Sequence, residues 1–85
     1  MTLINVHIPY EGEIQGTDAF VPFNTITKRL NALPADRDAE VVLYCKSGRM
    51  SEIAARQLVK RGYTNVKQLR GGMIAWQRAG LPLKH

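Results

Sequence analysis

Val41-Val42-Leu43-Tyr44-Cys45 is an unbroken apolar run, and it constrains the rest of the chain more than any other segment. Its β-branched and aromatic residues suit an extended strand. A run without polar alternation suits a strand covered on both faces, as in a parallel sheet. Parallel neighbours cannot be joined by a tight hairpin, so crossovers are required, and a helix is the usual one. The residues that follow supply it. Lys46 to Met50 read as a tight loop, and from Ser51 a helix runs to Arg61 with Ala54, Ala55, Leu58 and Val59 along one face. Gly62 stands where a left-handed cap is wanted.

The same alternation extends in both directions. Downstream, Tyr63 to Leu69 carries a second short strand around Val66. Gly71-Gly72 breaks it with a tight turn, a helix passes through Ile74, Ala75 and Trp76, and Gly80 with Pro82 ends it. Upstream, Thr2 to His7 is a short strand stopped by Pro9. Residues 8–23, with Pro9, Gly12, Gly16 and Pro22, read as a long irregular loop, and structureless loops above about 12–15 residues usually have a job. From Asn24, a good N-cap type, Ile26, Leu30 and Leu33 recur at helical spacing until Pro34. Asp36 to Glu40 is a polar connector. The expectation is an α/β fold, a small parallel-stranded sheet flanked by helices with right-handed crossovers, forming one domain over residues 1–85.

Composition removes several function classes. The chain is 45% hydrophobic and 22% charged, which is globular rather than disordered composition. A single cysteine rules out an internal disulfide, and with only His7 and His85 beside it a four-ligand zinc site in one chain is not credible. A Cys/His hydrolase would have to use His7, which reads as a strand-end side chain. No stretch approaches the roughly 18 apolar residues of a membrane span, and no leader pattern precedes a small-residue cleavage site, so a cytoplasmic protein is expected. The net charge of +5 is unevenly spread, −3 over residues 1–42 and +8 over residues 43–85. Such a field favours a small anion, an acidic partner or nucleic acid without choosing among them.

Cys45 carries the most chemistry. It closes a buried strand and is followed by Lys46-Ser47-Gly48-Arg49-Met50-Ser51 and a helix. In open α/β sheets ligands bind beyond the carboxyl ends of the strands. A helix N-terminus there offers unpaired N–H groups and partial positive charge, which suit an anion. A thiolate is such an anion, and beside Lys46 and Arg49 its pKa can fall well below about 8.5. Ser47 and Ser51 add hydroxyl donors, while Gly48 lets the backbone curl its N–H groups inward. The pattern predicts a persistent nucleophilic thiolate that needs no protein base.

These residues resemble a known family. The run from Tyr44 to Ser51, the Ala54-Ala55…Leu58 helix, Gly62-Tyr63-Thr64-Asn65-Val66, and Leu69-Arg70-Gly71-Gly72-Met73…Ala75-Trp76…Ala79-Gly80-Leu81-Pro82 closely resemble a single-domain rhodanese (thiosulfate sulfurtransferase-like) module over residues 41–83. Residues 3–16 match more loosely. The family usually has Asp and Arg where Asn5 and His7 stand, His at Glu13 and Pro at Gln15; these replacements touch charge pairing at the first strand and leave the cysteine loop intact. The family also begins some residues earlier, with one more short strand and helix, so the chain reads as a minimal version or one lacking a leading segment. An exposed sheet edge would then favour pairing with another copy as a homodimer.

The resemblance implies a two-step sulfur transfer. Cys45 as thiolate takes the outer sulfur of thiosulfate or another sulfane-sulfur donor and becomes a persulfide; cyanide, a small thiol or a protein thiol then removes it. Cys45 would be catalytic, and Lys46, Ser47, Gly48, Arg49, Met50 and Ser51 would form the substrate-binding loop, with no metal and no cofactor. With no second cysteine, discharge requires an outside acceptor.

Three rivals follow from the same residues. Phosphatases and arsenate reductases use Cys-x5-Arg loops, but Arg49 stands four residues after Cys45 and Ser51 six after it, so the loop favours a smaller sulfur centre. Lys60, Arg61, Lys67, Arg70, Arg78 and Lys84 could contact nucleic-acid phosphates, yet the aromatic residues show no surface-stacking pattern. A persulfide carrier or oxidant-sensing module without turnover is the third. Elsewhere, Gly71-Gly72 reads as a turn that brings the last helix onto the sheet, Trp76 as core packing, and Tyr10 with Phe20 as a rim to the substrate entrance.

Overall fold

The computed structural model describes residues 1–85. Four strands, β1 (Thr2–Asn5), β2 (Ala19–Phe20), β3 (Val41–Tyr44) and β4 (Val66–Gln68), form one sheet in the order β2-β1-β3-β4. Every neighbouring pair is parallel, with Ile4 beside Leu43 and Val41 beside Val66. The central pair β1 and β3 is the buried one: Ile4, Val41, Leu43 and Tyr44 are all fully enclosed. This is the α/β class that the apolar run of β3 predicts. Both edges are short, and the exposed Lys67 of β4 is held by Glu40 at 2.7 Å, features that blunt edge-to-edge pairing.

Two helices flank the sheet, α1 (Arg49–Lys60) and α2 (Gly72–Arg78). On one face α1 and two 3-10 segments, Phe23–Lys28 and Leu30–Ala32, cover the larger core, which includes Ile4, Val6, Ile26, Leu43, Cys45, Ala54 and Leu58. On the other face α2 covers a smaller core of Leu3, Ile14, Tyr44 and Met73, with Trp76 partly buried against it. No helix is long and apolar enough to cross a membrane.

Three local expectations need correction. The segment from Asn24 is not an α-helix: it is two short 3-10 turns preceded by Pro22, and Asn24 does not cap it. Thr25-Ile26-Thr27 is a β-branched run with poor helix propensity, and burial of Ile26 and Leu33 is achieved without a regular turn. The loop over residues 8–23 is not structureless, because it contains β2 and a two-bond bridge between Glu13 and Lys84, with N···O distances of 2.8 and 2.7 Å. Helix α1 starts at Arg49, two residues earlier than its apolar face suggests, and Val59 lies on its exposed side at 60% exposure.

Candidate active site

The site grows from the end of β3. Cys45 follows the last strand residue, and the chain turns through Lys46, Ser47 and Gly48 into α1. Gly48 has φ +129°, a conformation that side-chain-bearing residues rarely adopt, and this lets its N–H point back at Cys45 Sγ at 2.9 Å. Ser51 sits on the first turn of α1 with no exposure, its Oγ 3.6 Å from Sγ. That hydroxyl also lies 3.0 Å from the Gly48 carbonyl and 2.9 Å from Gln68 Oε1. It has one proton to give, so ionisation of the thiol turns a group that accepts from S–H into one that can donate to the sulfur.

Two opposed effects act on the thiol. Burial pushes its pKa up, since Cys45 is only 1% exposed. The Ser51 amide and hydroxyl and the Gly48 and Ser47 amides push it down, and their sum wins: Cys45 lies below the ordinary thiol value. No cationic side chain is needed for that result.

The second helix fixes the loop from behind. The Met73 N–H donates to the Cys45 carbonyl at 2.9 Å and the Ile74 N–H to the Lys46 carbonyl at 3.0 Å. Such close approach demands glycine at position 72: a Cβ there would stand 2.3 Å from the Cys45 oxygen and 2.7 Å from the Lys46 oxygen. The Gly71-Gly72 turn therefore does what its sequence suggests and also clamps the cysteine loop.

A pocket of about 260 Å³ opens over the sulfur, lined by His7, Cys45, Lys46, Ser47, Arg49, Met50 and Ile74. Of the loop residues marked by sequence, Lys46, Ser47, Arg49 and Met50 line the pocket, while Gly48 and Ser51 contact the sulfur from beneath. Arg49 is exposed and has no carboxylate partner, so its charge is available to an anion, whereas Lys46 shares its charge with Glu11 at 2.9 Å. Tyr10 and Phe20 pack edge to face, ring centres 5.3 Å apart, and do not line this pocket.

His7, Glu11, Ile74 and Gln68 are absent from the sequence-derived site. His7 sits two residues beyond β1, and because β1 and β3 run parallel it emerges at the same carboxyl end of the sheet as Cys45. Glu11 Oε2 holds His7 Nε2 at 2.6 Å, and its Oε1 holds Lys46. These two hydrogen bonds, His7 first, keep the Glu11 carboxyl below its usual range. Asn5 shapes the turn that carries His7: its Oδ1 accepts from the His7 N–H at 3.0 Å and its Nδ2 donates to the Gly12 carbonyl at 3.1 Å. The parallel pairing of β1 with β3 and the His-x3-Glu spacing were the available signals for this cluster.

Comparison with known proteins agrees with the geometry. The family model described as a rhodanese-like domain matches residues 4–79. A sulfurtransferase of Allochromatium vinosum is 48% identical over 63 residues, covering 74% of this chain and 57% of the relative. The thiosulfate sulfurtransferase GlpE of Actinobacillus succinogenes is 43% identical over 49 residues, covering 58% of this chain and 44% of that protein. The chain thus spans only about half the length of these curated relatives. The crystal structure of a Rhodanese_3-like domain from Anabaena superposes with a TM-score of 0.81 at 23% identity, covering 99% of this chain and 98% of that one, a likeness of fold.

Proposed function

This chain belongs to the rhodanese-like domain family, and from that premise we infer that residues 1–85 act as one unit that moves sulfane sulfur through a persulfide on Cys45. The observation that carries the reading is the cup of Ser47, Gly48 and Ser51 donors around a sulfur whose pKa they lower despite its burial. A nucleophile of this kind needs no adjacent base, because the loop donors favour its ionised form.

In the first half-reaction the Cys45 thiolate attacks the outer sulfur of thiosulfate. The S–S bond of the donor breaks, sulfite leaves with the bonding pair, and the new Cys45 S–S bond holds the sulfur. Arg49 draws the dianion toward the pocket, and the loop amides accept negative charge on either sulfur. In the second, a thiol or cyanide takes the outer sulfur and returns the thiolate. The sequence contains one cysteine, so the acceptor is external. The similarity of relatives named sulfurtransferase and thiosulfate sulfurtransferase supports the donor class.

Intact mass after incubation with thiosulfate tests this. The parent should gain one sulfur that a reductant removes, and Cys45→Ser should gain none while keeping its fold, because a hydroxyl is too weak an acid to be ionised by this loop. Absence of the adduct in the parent would overturn the reading. Steady turnover with cyanide separates an enzyme from a carrier, which would load once and discharge only to a protein thiol.

A further inference from the structure

His7 lines the Cys45 pocket and has no part in the transfer scheme above. It is 7% exposed, and Asn5 holds its backbone N–H. Glu11 accepts a hydrogen bond from Nε2 at 2.6 Å, so in the neutral ring the proton sits on that nitrogen and the lone pair on Nδ1. Nδ1 makes no hydrogen bond to the protein, yet the molecule contains no buried polar side-chain atom without a partner, so solvent reaches Nδ1. The charged and titratable groups around the ring are Glu11 on its edge, Lys46 behind Glu11, and Cys45 with Arg49 across the shared pocket.

We propose that His7, oriented by Glu11, is the proton relay for discharge of the Cys45 persulfide to an alkyl thiol acceptor. The inference rests on the sulfur-transfer reading and concerns only its second half. Nδ1 takes the proton of the acceptor S–H as that sulfur attacks the outer sulfur of the persulfide. An acceptor S–S bond forms, the Cys45 S–S bond breaks, and Cys45 leaves as the thiolate that the loop amides favour. The Nδ1 proton then passes to the transferred sulfur. Overall, Cys45–S–S⁻ and R–SH give Cys45–S⁻ and R–S–SH, with no oxidant and no net change in charge. Glu11 stabilises the transient imidazolium, as a carboxylate does beside any histidine base. Arginine at the same position is permanently protonated and could not accept a proton. This chain therefore fits alkyl thiol acceptors, which are mostly protonated near neutral pH.

The test compares the parent with His7→Gln and His7→Arg, each loaded with thiosulfate until the mass shows one added sulfur. Loading of the parent is the check on the underlying reading, and a parent that does not load overturns both. Loaded proteins are then discharged at pH 7 with dithiothreitol and, separately, with an aromatic thiol that is fully ionised at that pH. Loss of the base should slow discharge to dithiothreitol by about a hundredfold in both variants. Discharge to the ionised thiol should change less than about threefold, because it has no proton to give. Equal slowing with both thiols would mean that His7 only shapes the pocket, and equal rates in parent and variants would mean that it is idle; either result overturns the inference. Two variants guard against misfolding of one, and rescue by arginine alone would also contradict a proton-transfer role.

Discussion

Helices α1 and α2 both begin beside Cys45 behind a glycine with positive φ, Gly48 and Gly71, and neither is capped by a side chain. Their first N–H groups are used differently. The start of α1 faces the sulfur, with the Gly48 amide on Sγ and Ser51 beneath it. The start of α2 faces the backbone, with Met73 and Ile74 N–H groups on the carbonyls of Cys45 and Lys46. One helix start favours ionisation of the nucleophile; the other fixes where it stands. The lesson is that orphan donors at a helix end have no role of their own, and what they do follows from which atoms the neighbouring strand brings to them.

Substitutions should separate the two starts. Gly72→Ala is the harshest, because its Cβ meets backbone oxygen at 2.3 Å and its φ of +57° disfavours a side chain. We expect a loss of about 3 kcal/mol in urea unfolding. Gly62→Ala, at φ +92° with nothing within 4 Å of the added carbon, should cost clearly less. Equal costs would mean that α2 does not clamp the loop.

Ser51→Ala acts on the other start. Removing the hydroxyl should raise the Cys45 pKa, because the thiolate loses one of its hydrogen-bond donors, and the midpoint of the alkylation rate against pH should move up with it. Stability should change less than in Gly72→Ala, because the amides of Ser51 and Gly48 remain. A Ser51→Ala protein with an unaltered thiol titration would assign the charge state to the amides alone.

Arg49→Ala should be mildest. Its guanidinium has no protein partner, so the fold should be unaffected. The KM for thiosulfate should rise several-fold with kcat nearly constant, as expected for a group that only attracts the anion. A fall in kcat with constant KM would move Arg49 into the transition state.

Much of this arrangement is legible in the sequence because β3 and α1 are governed by local rules: an apolar run, a glycine turn and helical spacing. The Gly71-Gly72 turn is legible for the same reason. The segment over residues 23–33 misleads, since Ile26, Leu30 and Leu33 mimic helical spacing while β-branched neighbours and flanking prolines leave only 3-10 turns. Val59 falls on the exposed side of α1 because the apolar stripe is narrower than its composition suggests. His7 and Glu11 were the least visible, because their place beside Cys45 depends on pairing between strands that lie far apart in sequence. Lys46 also differs from expectation in its partner: a carboxylate from residue 11, which no local rule brings near, shares its charge.

The most direct test is the rate of Cys45 alkylation by iodoacetamide from pH 5 to pH 10. A thiolate held by the loop amides should give a sigmoid with its midpoint below the ordinary cysteine value of about 8.5, shifted upward in Ser51→Ala. A midpoint at or above the ordinary value in the folded parent would contradict a sulfur ionised by its own loop.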